Sequence, residues 1–301
     1  MCGIVGLYLK DRAFEDRLGS LFTPMLIEMT ARGPDSAGLA IYRDQAPSGS
    51  TKITAFHPNE DFDWDGLAVL LRDQLAADFD VQDNSSHAVI TTKAAPEDAV
   101  AAIEAHDPNL QVMSYGDSIE IYKEMGLPRD VAKRFGVETM SGSHIIGHTR
   151  MATESAVTTA GSHPFSTGAD LCLVHNGSLS NHNRLRDYLR THKGMQFRTE
   201  NDTEVGAAYI SSRLQEGRTL HEAFEDGLDA LDGFYTFVAG TRTGFAVLRD
   251  PIACKPAVLA ETDDYVAFAS EYHALAELPG IEQANVWEPE PATVYSWGGT
   301  A

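Results

Sequence analysis

MCGIVGLYLK (1–10) poses the question on which the fold turns: why does a cysteine directly follow the initiator methionine? The ends of a chain are usually mobile and weakly constrained, and taken alone a cysteine there is explained by chance. A small residue at position 2, however, permits removal of Met1. Cys2 would then carry a thiol and a free α-amine on one residue, a nucleophile with its own base. The residues that follow read as a buried strand over 2–9, so this chemistry would sit at the mouth of a sheet rather than on a loose tail.

Composition narrows the classes. The 301 residues suffice for one large domain or two smaller ones, and 43% apolar residues fit a globular chain rather than a disordered one. No apolar run approaches the roughly eighteen residues of a membrane span. IVGLYL is short and has no basic residues ahead of it, so no signal peptide is expected. Glycine at position 3 rather than 2 argues against N-myristoylation. A cytoplasmic protein is the expectation. A net charge of −21 repels phosphate backbones, which makes nucleic acid a poor partner. Cys2, Cys172 and Cys254 have neither CxxC spacing nor an even count, so neither a zinc knuckle nor a disulfide framework is expected. No metal and no cofactor are expected.

Outward from the first strand, Leu18, Leu21, Phe22, Met25, Leu26 and Met29 recur at helical spacing, with Pro24 able to kink or divide the helix and Gly33 placed to stop it. GLAIYRD follows as a strand. Between about 45 and 145 the texture changes. TKITAFH, HAVITTKA, LQVMSYG and SIEIYKEMG read as strands, and DWDGLAVLLRDQLAADF and PEDAVAAIEAH as helices. Their β-α-β-α-β-β order suits a small inserted α/β unit of ferredoxin-like character. It holds no phosphate loop and no ligand cluster, so a packing or docking role is expected. The second half alternates HIIGHTRMA and LCLVHNG with an amphipathic helix, NHNRLRDYLRTHKG, stopped by Gly194. Then come capping-box openings at NDTE (201–204) and TLHE (219–222) and four strands at hairpin spacing.

Polar residues gather where these strands end and helices begin: RGPDSAG (32–38), GHTRMAT (147–153), HNG (175–177) and NDTE (201–204). Singly each has a plain explanation. Arg32 could pair with Asp35, His148 and His175 could be core histidines, Asn176–Gly177 could be a turn, and Asp202 could be a helix N-cap. Together with Cys2 they match what hydrolysis of a side-chain amide needs. A thiol and α-amine with reference pKa values of about 8.5 and 8 supply nucleophile and base. Asn176 and the Gly177 N–H supply donors for an oxyanion. Arg150 offers a planar fork for a carboxylate, and Asp202 an acceptor for an ammonium group.

With these stretches in this order, and with HPF (163–165), HNGSLSN, DGFYTFV, RDPIACKP and FASE (268–271) continuing the match, the chain resembles the glutaminase domain of class II, N-terminal nucleophile, glutamine amidotransferases. The resemblance implies an α+β fold, the four-layer α-β-β-α sandwich of N-terminal nucleophile hydrolases, over residues 2–301 with the 45–145 unit inserted. It implies Cys2 as nucleophile, Asn176 and Gly177 as oxyanion hole, Arg150 and Thr153 on the glutamine carboxylate and Asp202 on its amino group. Arg32 and His175 take supporting places. Met151 stands where sugar- and purine-pathway members usually carry an aromatic residue, and Glu154–Ser155 where several carry His–Gly, so the pocket wall departs from theirs. The wording of GHTRMATES and FRTENDTE is most like glutamate-synthase-like chains, including the amidotransferase subunit of N-methylglutamate synthase. No ammonia-using half is visible in the chain. The resemblance therefore implies a glutaminase subunit that takes L-glutamine and passes ammonia to a separate synthase subunit in a hetero-oligomer. The alternatives are a stand-alone N-terminal-cysteine amidase and an inactive scaffold of the same fold.

Overall fold

The computed structural model of the chain describes residues 2–152 and 157–299. In chain order the strands are β1 (Gly3–Leu9), β2 (Ser36–Tyr42), β3 (Thr51–Phe56), β4 (Phe79–Asn84), β5 (His87–Thr92), β6 (Gln111–Gly116), β7 (Ile119–Met125), β8 (His144–Arg150), β9 (Cys172–Leu179), β10 (Gly233–Thr241), β11 (Gly244–Arg249), β12 (Val258–Glu261), β13 (Tyr265–Ala269), β14 (Asn285–Trp287) and β15 (Thr293–Gly298). The α-helices are α1 (Leu18–Glu28), α2 (Trp64–Leu75), α3 (Pro96–His106), α4 (Pro128–Arg134), α5 (His182–Lys193), α6 (Asp202–Gln215) and α7 (Leu220–Ala230).

The alternation in the opening strand determines the layers. Val5, Leu7 and Leu9 point to one face of β1 and pack with Phe22, Met25 and Leu26 of α1. Ile4 points to the other face and joins Cys172, Val174, Val238, Phe245 and Val247 from the second sheet. A strand buried on both faces is the centre of a sandwich, and β1 is the middle strand of a seven-stranded antiparallel sheet, order β14-β12-β13-β1-β8-β2-β7. The facing sheet has the order β15-β11-β10-β9, and its outer face, with Leu173, Phe237 and Leu248, packs against α5, α6 and α7. The result is the α-β-β-α layering. At roughly 1.5–3 kcal/mol for each large apolar side chain removed from water, these layers outweigh the exposed ion pairs, each worth about 1 kcal/mol or less.

The inserted strands form a third sheet, order β4-β5-β3-β6, with α2 and α3 closing its own apolar core. The unit is ferredoxin-like as expected, but its element order is β-α-β-β-α-β rather than the expected β-α-β-α-β-β. Two local readings are corrected here. The helix expected through Phe79 stops at Leu75, where Ala76 turns left-handed at φ +50°, and FDVQDN is a strand. SIEIYKEMG belongs to the edge of the seven-stranded sheet, where β7 pairs with β2. Within α2 and the turn before it, Asp63 caps the helix through the Gly66 N–H, and Glu60 pairs with Arg134, so part of the acidic EDFDWD stretch does local work.

Pro24 lies inside α1 without dividing it. Gly33 is not a left-handed stop; a Cβ there would lie 2.3 Å from the Thr149 carbonyl carbon, so it is needed for close backbone approach to β8. Among the described residues no helix is long and apolar enough to cross a membrane.

The sandwich is also joined by a buried histidine. His144 of β8 stacks on Tyr42 with ring centroids 4.0 Å apart, and its Nε2–H donates to the Thr241 carbonyl at the end of β10, 2.9 Å away. Ser143 Oγ lies 2.8 Å from Nδ1, which completes a neutral ring. Burial lowers His144, His87 and His148 to about 3. The unfolded chain binds protons at these sites below about pH 6.5 and the folded chain does not, so stability is lost as pH falls through that window. The thermal midpoint is expected to fall steadily between about pH 6.5 and pH 4 when followed by circular dichroism. A flat midpoint over that range would contradict the buried neutral assignment.

Candidate active site

Antiparallel pairing of Gly3 with Thr149 brings the Cys2 end of β1 to the Arg150 end of β8. Cys2 is partly exposed there, and its carbonyl is held twice. Arg32 Nε donates to it at 2.9 Å and Asn176 Nδ2 at 3.1 Å. Arg32 is itself buried and anchored by an ion pair with Glu271. The neighbouring Ser270 Oγ accepts the Ile4 N–H at 2.9 Å, so the FASE stretch fixes both the first strand and the arginine that grips its start. Arg32 therefore pairs with Glu271, not Asp35. Asp35 accepts the Ala152 N–H at 2.8 Å, which ties RGPDSAG to GHTRMAT.

Asn176 and Gly177 lie on β9, opposite Thr236 and Tyr235 of β10. Gly177 has φ +152°, and a Cβ there would stand 2.0 Å from the Phe234 carbonyl oxygen, so this position admits only glycine. The Asn176 amide nitrogen carries two hydrogens. One is committed to the Cys2 carbonyl, which leaves the other for a ligand.

The expected N-cap is shifted by one residue. Asn201 caps α6 through the Thr203 N–H, and Asp202 is the first helical residue. Its Oδ2 accepts the Leu179 N–H at 2.9 Å, and its Oδ1 lies 3.6 Å from His175 Nδ1. Burial opposes ionisation, but the neighbouring His175 and the Leu179 N–H outweigh it and lower the carboxyl to about 2. Asp202 is an anion at any ordinary pH. The expected NDTE capping box does not form, because Glu204 turns away to accept the Arg198 and Thr199 N–H groups, each at 2.8 Å. TLHE does form one.

Thr203 Oγ1 stands between two histidines, 2.7 Å from His163 Nε2 and 3.1 Å from His175 Nδ1. The same hydroxyl lies 3.5 Å from Asp202 Oδ1, so it joins both rings and the carboxylate in one network. His163 stacks on His148, with centroids 4.0 Å apart, and burial keeps both neutral.

A cleft of about 880 Å³ gathers Cys2, Arg150, His175, Asn176, Gly177 and Asp202. Arg150 is buried at its wall. The cleft presents a thiol, amide and backbone donors, a guanidinium and a carboxylate to one volume, a set that fits a zwitterion with a reactive side-chain carbonyl. Arg32 lies behind it, under Cys2. Thr153, together with Glu154 and Ser155, lies outside the described residues. Sequence reasoning missed His163, Thr203 and Lys255 as lining residues. Lys255 Nζ sits 5.0 Å from the centroid of the Phe234 ring. His163 and Lys255 fall inside SHPF and RDPIACKP, stretches that carried only resemblance, because nothing local shows which way such side chains face.

A model of the glutamine amidotransferase domain matches residues 148–277. The glutamine amidotransferase-like protein GlxB of Rhizobium meliloti (strain 1021) is 58% identical over 300 residues, covering 99% of this chain and 98% of the relative. A glutamine amidotransferase relative from Methanothermobacter thermautotrophicus is 30% identical over 306 residues, 98% of this chain and 99% of the relative. Among solved structures, the glutamine phosphoribosylpyrophosphate amidotransferase of B. subtilis superposes with a TM-score of 0.60 at 20% identity. The match takes in 99% of this chain and 49% of that longer one, a likeness of fold.

The three thiols separate by environment. Cys172 is fully buried in β9 and burial raises it to about 11, whereas Cys2 is partly exposed and Cys254 exposed. Brief treatment of the native protein with iodoacetamide, followed by peptide mapping, is expected to modify Cys2 and Cys254 and spare Cys172 until the chain is unfolded. Modification of Cys172 at the rate of the other two would show that the sandwich core is open.

Proposed function

Because the chain belongs to the class II glutamine amidotransferase family, we propose that it hydrolyses the side-chain amide of free L-glutamine at Cys2 and delivers ammonia to a separate, glutamate-synthase-like chain. One observation carries this reading: Cys2, the Asn176–Gly177 pair, Arg150 and Asp202 share one cleft. Arg150 and Asp202 have the charges that complement the two ends of an amino acid, and Cys2 with Asn176 has what its side-chain amide requires.

The chemistry follows from those groups once Met1 is removed. The α-amine takes the thiol proton, and the thiolate attacks the amide carbon. Negative charge develops on the amide oxygen, and Asn176 Nδ2 and the Gly177 N–H stabilise it. The α-ammonium returns the proton to the leaving nitrogen, the C–N bond breaks, and ammonia departs from a thioester on Cys2. Water activated by the same amine attacks the thioester carbon. The C–S bond then breaks, which releases glutamate and regenerates the thiol. Ionised Asp202 would hold the substrate ammonium, and the Arg150 fork its carboxylate. The wording of the GHTRMATES and FRTENDTE stretches supports a glutamate-synthase-like acceptor chain.

Ammonia release from glutamine, asparagine and a panel of N-acyl amino acids, with intact-mass measurement of the same preparation, tests the reading. Glutamine is expected to be preferred and the active chain to begin at Cys2. An active preparation that retains Met1, or a preference for an N-acyl amino acid, would overturn it. A glutamine-like diazoketone is expected to label Cys2 rather than Cys254.

Two substitutions separate the roles. Asn176→Ala is expected to lower kcat by roughly 10²–10³, the usual loss for one oxyanion donor. Arg150→Lys should act chiefly on KM for glutamine, since a point charge does not reproduce a bidentate fork. Steady-state kinetics would contradict the carboxylate assignment if Arg150→Lys left KM unchanged.

A further inference from the structure

Both walls of the cleft are fastened to the inserted unit or to the strand through which it rejoins the large sheet. Arg198 sits on the wall formed by residues 198–202, all of which line the cleft. Its guanidinium reaches out of the sandwich and into the insert. Nη2 lies 2.6 Å from Glu104 of α3, and Nη1 donates to the Val112 carbonyl of β6 at 2.6 Å. Glu104 also accepts the Val112 N–H at 3.3 Å, so helix, strand and arginine close one small network. On the other side, buried Glu204 takes the backbone N–H groups of Arg198 and Thr199, and the carbonyl of Thr199 accepts from Arg186. A change in the position of α3 is therefore passed to the segment that precedes Asp202.

The facing wall, with Thr158, Ala160, Gly161 and His163, is held by Lys123 of β7. Its side chain is buried, and its Nζ lies within hydrogen-bond distance of three carbonyls: Ser162 at 2.8 Å, Ala160 at 3.2 Å and Pro164 at 3.2 Å. Nζ also lies 4.6 Å from the centroid of the Phe165 ring. Among the described residues it makes no ion pair within 4 Å. Burial lowers Lys123 to about 7 although nearby Glu204 favours its charged form, and so costly a buried amine is explained if the carbonyls it meets must be held in place.

We propose that Arg198, held by the inserted unit, and Lys123, on the strand where the insert rejoins the large sheet, are positioning residues that set the spacing of the two cleft walls. This rests on the glutaminase reading for its substrate. Occupation of the insert by a partner would be felt as a change in glutamine affinity, not in the bond-breaking step at Cys2.

Glu104 does not line the cleft, so Glu104→Ala isolates the mechanical link. It is expected to raise KM for glutamine about two- to fivefold, the range of a partly exposed ion pair, with kcat and thermal midpoint nearly unchanged. Arg198→Glu should raise KM further, and the double variant with Glu104→Arg should recover most of the loss. No such recovery would follow if Arg198 acted by touching substrate. Lys123→Met should raise KM by about tenfold or more with a smaller effect on kcat. Hydrogen exchange of the 198–204 and 157–164 segments gives a readout without substrate and is expected to quicken in the Glu104→Ala and Lys123→Met chains respectively. Wild-type KM and unchanged exchange in Glu104→Ala, or a charge swap without recovery, would overturn the proposal. Absence of glutamine hydrolysis in the wild-type chain would instead overturn the glutaminase reading and leave the exchange result to decide the link.

Discussion

The carbonyl oxygen of Cys2 is held by two side chains that arrive from facing sheets, Arg32 before β2 and Asn176 from β9. Everything else about the site depends on that grip. A second residue would ordinarily fray into solvent. Here it is the end of the middle strand of a seven-stranded sheet, with β13 and β8 paired on either side. The buried alternation of Ile4 against Val5 and Leu7 fixes which way the strand faces, so the register of the core and the position of the thiol are the same fact. Asn176 cannot reach Cys2 unless the two sheets pack at this spacing, and the packing of Val174, Val238 and Phe245 sets that spacing.

Charge inside the cleft differs from that of the chain as a whole. The chain carries −21 overall, yet Arg150 and Lys255 line the same cleft. A cationic patch inside an acidic molecule focuses its field on the recess rather than on the general surface. Asp202, ionised down to about pH 2, gives the recess its opposite pole. An amino acid zwitterion is oriented by such a pair, whereas a simple anion is not. The neutral histidines His148 and His163 beneath it add hydrogen-bonding groups without adding charge.

Much of this was legible in the sequence because it rests on local patterns. The short apolar run IVGLYL gave a buried strand, and the amphipathic period of NHNRLRDYLRTHKG gave α5 with Gly194 left-handed at its end. What was not legible depends on neighbours distant in the chain. FDVQDN turns only Phe79 and Val81 to the core because β4 is an edge strand, so it carries little strand signal and Phe79 reads as the end of the preceding helix. Asn201 and Asp202 are both good caps, and only the contacts of Asp202 with Leu179 and His175 decide between them. Lys123 shares its face of β7 with Ile119 and Ile121, where a charged residue has no local explanation. It is buried because the 158–164 wall covers that face. Gly33 looked like a stop because composition cannot distinguish a left-handed glycine from one crowded by another backbone.

The central claim is that Cys2 forms the covalent intermediate. The direct measurement is acid quench of the chain during turnover with excess glutamine, followed by mass spectrometry of the N-terminal peptide. A glutamyl group in thioester linkage is expected on Cys2, hydroxylamine-labile and absent from a Cys2→Ala chain that has lost glutamine hydrolysis. Continued hydrolysis by Cys2→Ala, or an adduct on Cys254 in its place, would contradict it.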